Sequence, residues 1–280
     1  MRERGEQILD HWSLKFKLGG LVFDIPTMLM ITLTAILVFV LLVVLSRQLT
    51  TGVPGGRQNL LEWIVDFINN LARSVMDAKT AARFITLAVT VFLYIILGNW
   101  LGLGLNVVTL HHNDPAQNKV VNEQVVEMLT ISGTPEAQAK KIEKVEHALE
   151  PGGHGIHIAW WKSPTAAASV TFSLALTILL YSQYVDIRRH GLGTYLKHFL
   201  NPLHILEELV IKPLTLPLRL FGNIFAGEVL IAFLMSTGVF IGSIPLLAWL
   251  GYSVFVGAVQ AYIFTTLTII YISQKTNDGH

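Results

Sequence analysis

Eighteen consecutive residues, Met28 to Leu45, carry no polar group except the hydroxyls of Thr32 and Thr34. A run of this length matches the roughly 20 residues that cross a bilayer as a helix, and threonine hydroxyls bond back to the helix backbone. Four more apolar elements follow: Phe84 to Val108, Ala166 to Val185, His204 to about Met235, and Leu246 to Ser273. Charged residues make up 14% of the chain against about 25% in soluble domains, which places it among membrane proteins. The expected fold is an all-α integral membrane protein of about five hydrophobic helices plus one amphipathic interfacial helix. The fourth element, as one helix, approaches about 50 Å against a hydrocarbon core of about 30 Å. It must tilt, kink or run into water, and Pro213 and Pro217 favour a kink. Thr237-Gly238 and Gly242-Ser-Ile-Pro245 read as the turn into the fifth element.

The organisation read from this pattern is a polar N-terminal arm over 1–25, one membrane domain over 26–274 with an exposed loop at 109–163, and a tail over 275–280. Asn59-Leu-Leu-Glu62 reads as an N-cap with a capping-box acid. Behind it, Leu60, Leu61, Ile64, Phe67, Ile68, Leu71 and Val75 recur at helical spacing opposite Glu62, Asp66, Asn69, Asn70 and Arg73. This helix is too polar to span; it lies on the membrane or a partner, or packs on the protein's own cytoplasmic side. In the loop, Thr134-Pro-Glu136 opens a small exposed helix that Pro151-Gly-Gly153 ends, and no further domain is expected. His111, His112, His147, His154 and His157 match no metal-ligand spacing, so no metal and no cofactor is expected. The absence of cysteine excludes disulfides and thiol chemistry, and a net charge of +1 gives no electrostatic case for nucleic acid. Eight charged residues between Met1 and Pro26 speak against a signal peptide.

The chemistry concentrates between Thr215 and Glu228, where an apolar segment keeps Arg219, Asn223 and Glu228. A charge at the bilayer centre costs about 2.5–3.5 kcal/mol on insertion scales, and such residues mark ion or proton paths by default. At 100° per residue Asn223 shares a face with Arg219, whereas Glu228 falls on the opposite face. Arginine keeps its proton and acts as a fixed charge, while a desolvated glutamate can hold or release one. Gln260, in the middle of the last element, is able to position the guanidinium or its partner. Glu207 and Glu208 begin the fourth element, where Glu208 either leads protons to water or is an interfacial acid.

Several of these residues carry a family resemblance. Leu218-Arg-Leu-Phe-Gly-Asn-Ile-Phe-Ala-Gly-Glu228 resembles the hallmark of subunit a of bacterial F-type (rotary) ATP synthases. Lys212-Pro213, Gln260-Ala-Tyr-Ile-Phe264, Thr266-Leu-Thr-Ile-Ile-Tyr271 and Trp161-Lys-Ser-Pro-Thr165 are similar to that family as well. The resemblance implies a non-catalytic, ion-translocating stator subunit in the plasma membrane, its last two helices a strongly tilted hairpin against a ring of c subunits. The b subunits of the peripheral stalk and the rest of the complex would be further partners. Arg219 would separate two aqueous half-channels, with Glu228, Asn223 and Gln260 in the coupling site. Glu207, Glu208, Ser253 and Asn99 would line the half-channels. Three positions depart from the family pattern: Pro217 replaces a small residue, Ser253 replaces a His or Glu of many relatives, and Ala167 or Ala168 replaces an Asp of some.

Basic residues beside the spans place 47–83 and 186–203 in the cytoplasm, with the N-terminus outside and the C-terminus inside. Three other readings compete. A secondary transporter would use Arg219 and Glu228 as a substrate or ion site, but such proteins usually carry a repeat. An intramembrane hydrolase lacks a nucleophile–base pair in the spans. An assembly subunit would use the charges only for helix contacts. No P-loop occurs, so a nucleotide site is expected on other subunits.

Overall fold

The computed structural model describes residues 12–47, 49–53, 55–105, 107–111, 119–131, 134–149, 156–161, 163–193, 195, 205–236 and 239–276. His112, His154, the Pro151–Gly153 stop, Lys162, His204 and the Thr237-Gly238 turn lie outside the described residues, as do the side chains of His111, His157, Asn223 and Glu228. In chain order the elements are β1 (Lys15–Leu18), β2 (Leu21–Asp24), α1 (Ile25–Ser46), α2 (Gly56–Arg73), α3 (Ala78–Gly104), β3 (Val108–His111) and α4 (Lys119–Thr130). Then come α5 (Pro135–Leu149), β4 (Ile156–Ala159), α6 (Ala168–His190), α7 (Lys212–Ser236) and α8 (Val239–Thr276). Among the described residues five helices are long and apolar enough to cross a membrane, in the five places the apolar runs predict. The all-α expectation holds, with two short strand pairs added to it.

The chain packs as two compact units. The first comprises Met1–Thr32, Leu101–Ser163 and Gly227–Gly251. Here β1 and β2 form an antiparallel hairpin with Leu18 opposite Leu21 and Lys15 opposite Asp24. Its two-residue connection, Gly19-Gly20, holds φ of 57° and 84°. Positive φ at both central positions is what the tight hairpin turn needs, and glycine supplies it without a Cβ clash. Phe16 and Phe23 stack across the ladder with centroids 5.2 Å apart. The polar arm is thus an ordered hairpin in its described part, and Lys15-Phe-Lys-Leu18 is a period-two pattern that the charges around it concealed.

The segment expected to be a loop with one helix holds two helices and a strand pair. β3 pairs antiparallel with β4, Val108 opposite Ala159. Ala159 N also donates to Trp12 O at 2.8 Å. Leu129 of α4, Val145 and Leu149 of α5, and Ile156 and Ile158 of β4 form a small buried cluster. Thr134 caps α5 as its position predicts, accepting from Ala137 N at 3.4 Å. The helix missed by sequence, α4, has its signal in Val125, Val126 and Leu129, which recur at helical spacing among charged and amide neighbours.

The second unit comprises Leu33–Trp100, Pro164–Ala226 and Tyr252–His280, with α3 at its centre. One side of α3, through Ala81, Ala88, Val89 and Leu93, packs with Val38 of α1, Ile64, Ile68 and Ala72 of α2, and Ile269 and Ile272 of α8. Its other side, through Val91 and Ile95, packs with Ala175, Ile178 and Leu179 of α6, Leu216 and Leu220 of α7, and Ala261 and Phe264 of α8. A helix apolar all round is a buried helix, and α3 obeys that rule. The amphipathic helix α2 packs its Ile64, Ile68 and Ala72 stripe on the protein itself. It starts at Gly56, not behind a cap at Asn59. Gln58 Nε2 reaches back to Thr50 O at 2.8 Å and forward to Glu62 Oε1 at 2.7 Å, so Glu62 bonds a side chain of the first turn rather than closing a capping box.

Several helix ends run beyond the apolar runs. α6 continues to His190, where Gly191 (φ 81°) donates to Ile187 O at 3.0 Å and ends it. α8 starts at Val239 and contains Pro245, so Gly242–Pro245 is helical rather than a turn. A proline near a helix start forfeits one intrahelical bond, and an apolar surrounding favours satisfying all the others within the helix. At its C-terminal end α8 takes in Lys275 and Thr276, both buried. α7 is entered through a π turn, Glu207–Ile211, closed by Lys212 N on Glu207 O. The ring of Pro213 crowds the carbonyl four residues back, and the wide turn ahead of it relieves that clash.

Candidate functional site

α7 belongs to the second unit as far as Ala226 and has two faces there. Leu216 and Leu220 are 1% and 0% exposed, locked into the cluster with α3, α6 and α8. Leu214, Leu218 and Phe225 are exposed, and Arg219 is exposed among them. Thr215, one turn before Arg219, is exposed as well, but its hydroxyl donates to Ile211 O at 2.7 Å, so among the described residues the guanidinium stands on a largely apolar surface. Lipid is an unfavourable neighbour for it, by the same 2.5–3.5 kcal/mol or so, whereas water or a partner carrying anionic groups is a favourable one. Asn223 lies one turn along α7, and Glu228 lies in the same helix.

Gln260 is 2% exposed, on the buried stripe of α8 that also carries Ser253 and Gly257. That stripe is held against α3 by polar contacts. Asn99 is buried; its Nδ2 donates to Gly257 O at 3.1 Å and its Oδ1 accepts from Thr165 Oγ1. Trp100 Nε1 donates to Val254 O at 3.1 Å. A Cβ on Gly257 would lie 3.1 Å from Asn99 Cβ, so glycine sets how near the two helices come. Asn99, predicted as a half-channel residue, thus joins three segments between Ser253 and Gln260. Asn99→Ala removes two interior bonds, Nδ2 to Gly257 O and Oδ1 from Thr165 Oγ1, and the expected loss is about 1–3 kcal/mol. Thermal inactivation of the solubilised protein checks it, and an unchanged midpoint would mean that these bonds hold nothing in place.

Glu208 is buried with Lys212 Nζ at 2.6 Å, Lys275 Nζ at 3.0 Å and Gln183 Nε2 at 2.5 Å. Glu207, by contrast, is half exposed and reaches Lys212 Nζ at 3.2 Å. Lys275 also meets Asp186 at 3.4 Å, and Asp186 meets His190 Nδ1 at 2.9 Å. Sequence reasoning missed this cluster because Asp186 and Lys275 each sit at the end of an apolar run, where a charge is ordinary. Beyond the helix, Tyr195 has its hydroxyl pKa raised, first by burial and then by the charges of Asp186 and Glu208. Among the described residues no group of histidines and acids has the arrangement of a metal site.

The family model described as ATP synthase A chain matches residues 28–273. The chain belongs to that family. Among its relatives is ATP synthase subunit a of Priestia megaterium, 36% identical over 284 residues that cover 97% of this chain and 100% of the relative. The protein of the same name from Anoxybacillus flavithermus is 38% identical over 93% of this chain and 95% of its own length. That from Bacillus subtilis is 33% identical over 97% of this chain and 100% of its own. The A-chain match takes in every predicted site residue, from Asn99 to Gln260, and stops two residues before Lys275.

Proposed function

We propose that this chain is the stator subunit of the membrane sector of an F-type ATP synthase, coupling ion flow to rotation of a c-ring. The observation that carries this reading is Arg219, an arginine exposed on the apolar face of α7 in a chain of the A-chain family. Lipid is a poor neighbour for that charge, and a ring of carboxylates passing the helix is a good one. Arg219 holds its proton, draws each ring carboxylate into its ionised form and keeps protons from slipping between the two half-channels. One charge crossing about 100 mV is worth about 2.3 kcal/mol, so a leak here dissipates the drive directly. Glu228 serves the outer half-channel, with Asn223, Gln260, Ser253 and Asn99 as its polar support. Glu207 lines the cytoplasmic exit, and Glu208 fixes the wall behind it. The last two helices form a tilted hairpin along the ring; α8, with 38 residues and about 57 Å of length, exceeds a hydrocarbon core of about 30 Å. The b subunits of the peripheral stalk hold the chain against torque. It sits in the plasma membrane with its N-terminus outside and its C-terminus cytoplasmic. Nucleotide chemistry belongs to other subunits.

A tagged copy is expected to co-purify from solubilised membranes with a ring-forming proteolipid and an ATP-hydrolysing head. Reconstituted, that preparation should acidify vesicles when ATP is added. Recovery of the chain alone, active in uptake of an anionic solute, would sink the stator reading in favour of a transporter.

A further inference from the structure

The ion cluster of the second unit joins three helices that also share an apolar cluster. Asp186 comes from α6, Lys212 from the first turn of α7, Lys275 from the last turn of α8, and Glu208 from the π turn that leads into α7; all four are buried. Glu208 is the hub, bonded to Lys212, Lys275 and Gln183, while Lys275 spans from it to Asp186. Two acids and two bases balance, so the buried quartet carries no net charge. Lys212 Nζ gains a further bond to Gln274 Oε1 at 2.9 Å and lies 5.2 Å from the Tyr271 ring centroid.

The position of the quartet along α7 gives it a use. A π turn shifts the helical register by one residue, which is about 100° of rotation for everything beyond it. Arg219 lies seven residues after Lys212, two turns along and within about 20° of the same direction. Whatever fixes the π turn and Lys212 therefore fixes where Arg219 points. If the π turn straightened, each later residue would advance by one place: Leu218 would stand where Arg219 stands, Arg219 would turn into the interior place of Leu220, and Leu220, now at 0% exposure, would move to the partly exposed place of Phe221.

We propose that the buried quartet is the register lock of α7, and that Lys275 is a positioning residue for Arg219. Lys275 acts on Arg219 through other residues: it ties the hub of the π turn to α6 through the end of α8. The functional part of the inference rests on the stator reading above, while the lock itself stands on geometry alone.

Lys275→Met tests it well, because Asp186 keeps His190, and Glu208 keeps Lys212 and Gln183. The chain has no cysteine, so Leu220→Cys reports on α7 without background from this subunit. In the intact complex, Lys275→Met should raise maleimide labelling of Leu220→Cys severalfold. A misplacement of about 1 Å at a reacting site can cost about 100-fold, so acidification per ATP hydrolysed should fall by roughly tenfold or more. Lys275→Arg should restore both. Labelling that stays at the parent level overturns the lock, whatever happens to pumping. So does a Lys275→Arg variant as impaired as Lys275→Met. If the parent itself fails to pump, the stator reading falls, and the labelling comparison still decides the lock. Should Lys275→Met not accumulate, Asp186→Asn keeps the shape and weakens the same tie; the same rise in labelling is expected, and its absence overturns the lock.

Discussion

Arg219→Ala is expected to abolish ATP-driven acidification of vesicles in a complex that still assembles. Arg219 is exposed on α7, so its removal leaves no cavity among the packed side chains, and Leu216 and Leu220 beside it keep the helix seated. What disappears is a fixed positive charge at a low-dielectric surface. Removing one such preorganised group costs about 100- to 1,000-fold in enzymes where it has been measured. A loss of at least that size is expected in pumping, together with a raised passive proton leak. Arg219→Lys should recover little. An ammonium is a compact, strongly hydrated charge that loses its proton when desolvated, whereas a guanidinium does neither. Pumping near the parent rate in an assembled Arg219→Ala complex would remove this residue from the coupling path.

The second large effect belongs to the buried quartet. Glu208→Ala leaves the ammonium groups of Lys212 and Lys275 in the interior with their closest carboxylate gone. Breaking a buried pair in this way typically costs about 3–5 kcal/mol, comparable to much of a domain's net stability. The chain should fail to accumulate in the membrane fraction, or the complex should inactivate at a much lower temperature. Replacing both members of the shortest pair, Glu208→Leu with Lys212→Met, should be milder than Glu208→Ala, since apolar substitutes of similar volume need no charge partner. The cycle is read from the amount of chain in the membrane and from thermal inactivation. A Glu208→Ala variant that accumulates and withstands heat like the parent, yet pumps nothing, would make Glu208 a proton carrier on the exit path instead of a structural hub.

The spanning helices and Arg219 were legible in the sequence because their signals are local: a long apolar run, and a charge where a charge is costly. Asn99 was reached through the family resemblance, and its partner was not reached at all. It bonds the backbone carbonyl of Gly257, and a carbonyl leaves no mark in the residue identity. The quartet was hidden differently. Glu208 was noticed as an acid at a helix entrance, Asp186 and Lys275 were passed over as ordinary charges at the ends of their spans, and only the packing of α6, α7 and α8 brings them together. The extended strands around Gly19 and between Val108 and Ala159 were too short, and too mixed in charge, to show against the helical pattern around them. The start of α8 was misplaced because Gly242, Ser243 and Pro245 look like a turn in water, while the helix runs through them.

Both apolar clusters of the second unit are completed by α8, through Ile269 and Ile272 in one and Ala261 and Phe264 in the other. Since α8 follows α1, α2, α3, α6 and α7 in the chain, each cluster lacks one wall until α8 has been made. A nascent chain halted inside the final helix would present two open seams to the membrane proteases. Quality control over this subunit therefore reads out within α8, and stop mutations inside that helix should clear the protein rather than yield a shorter working one.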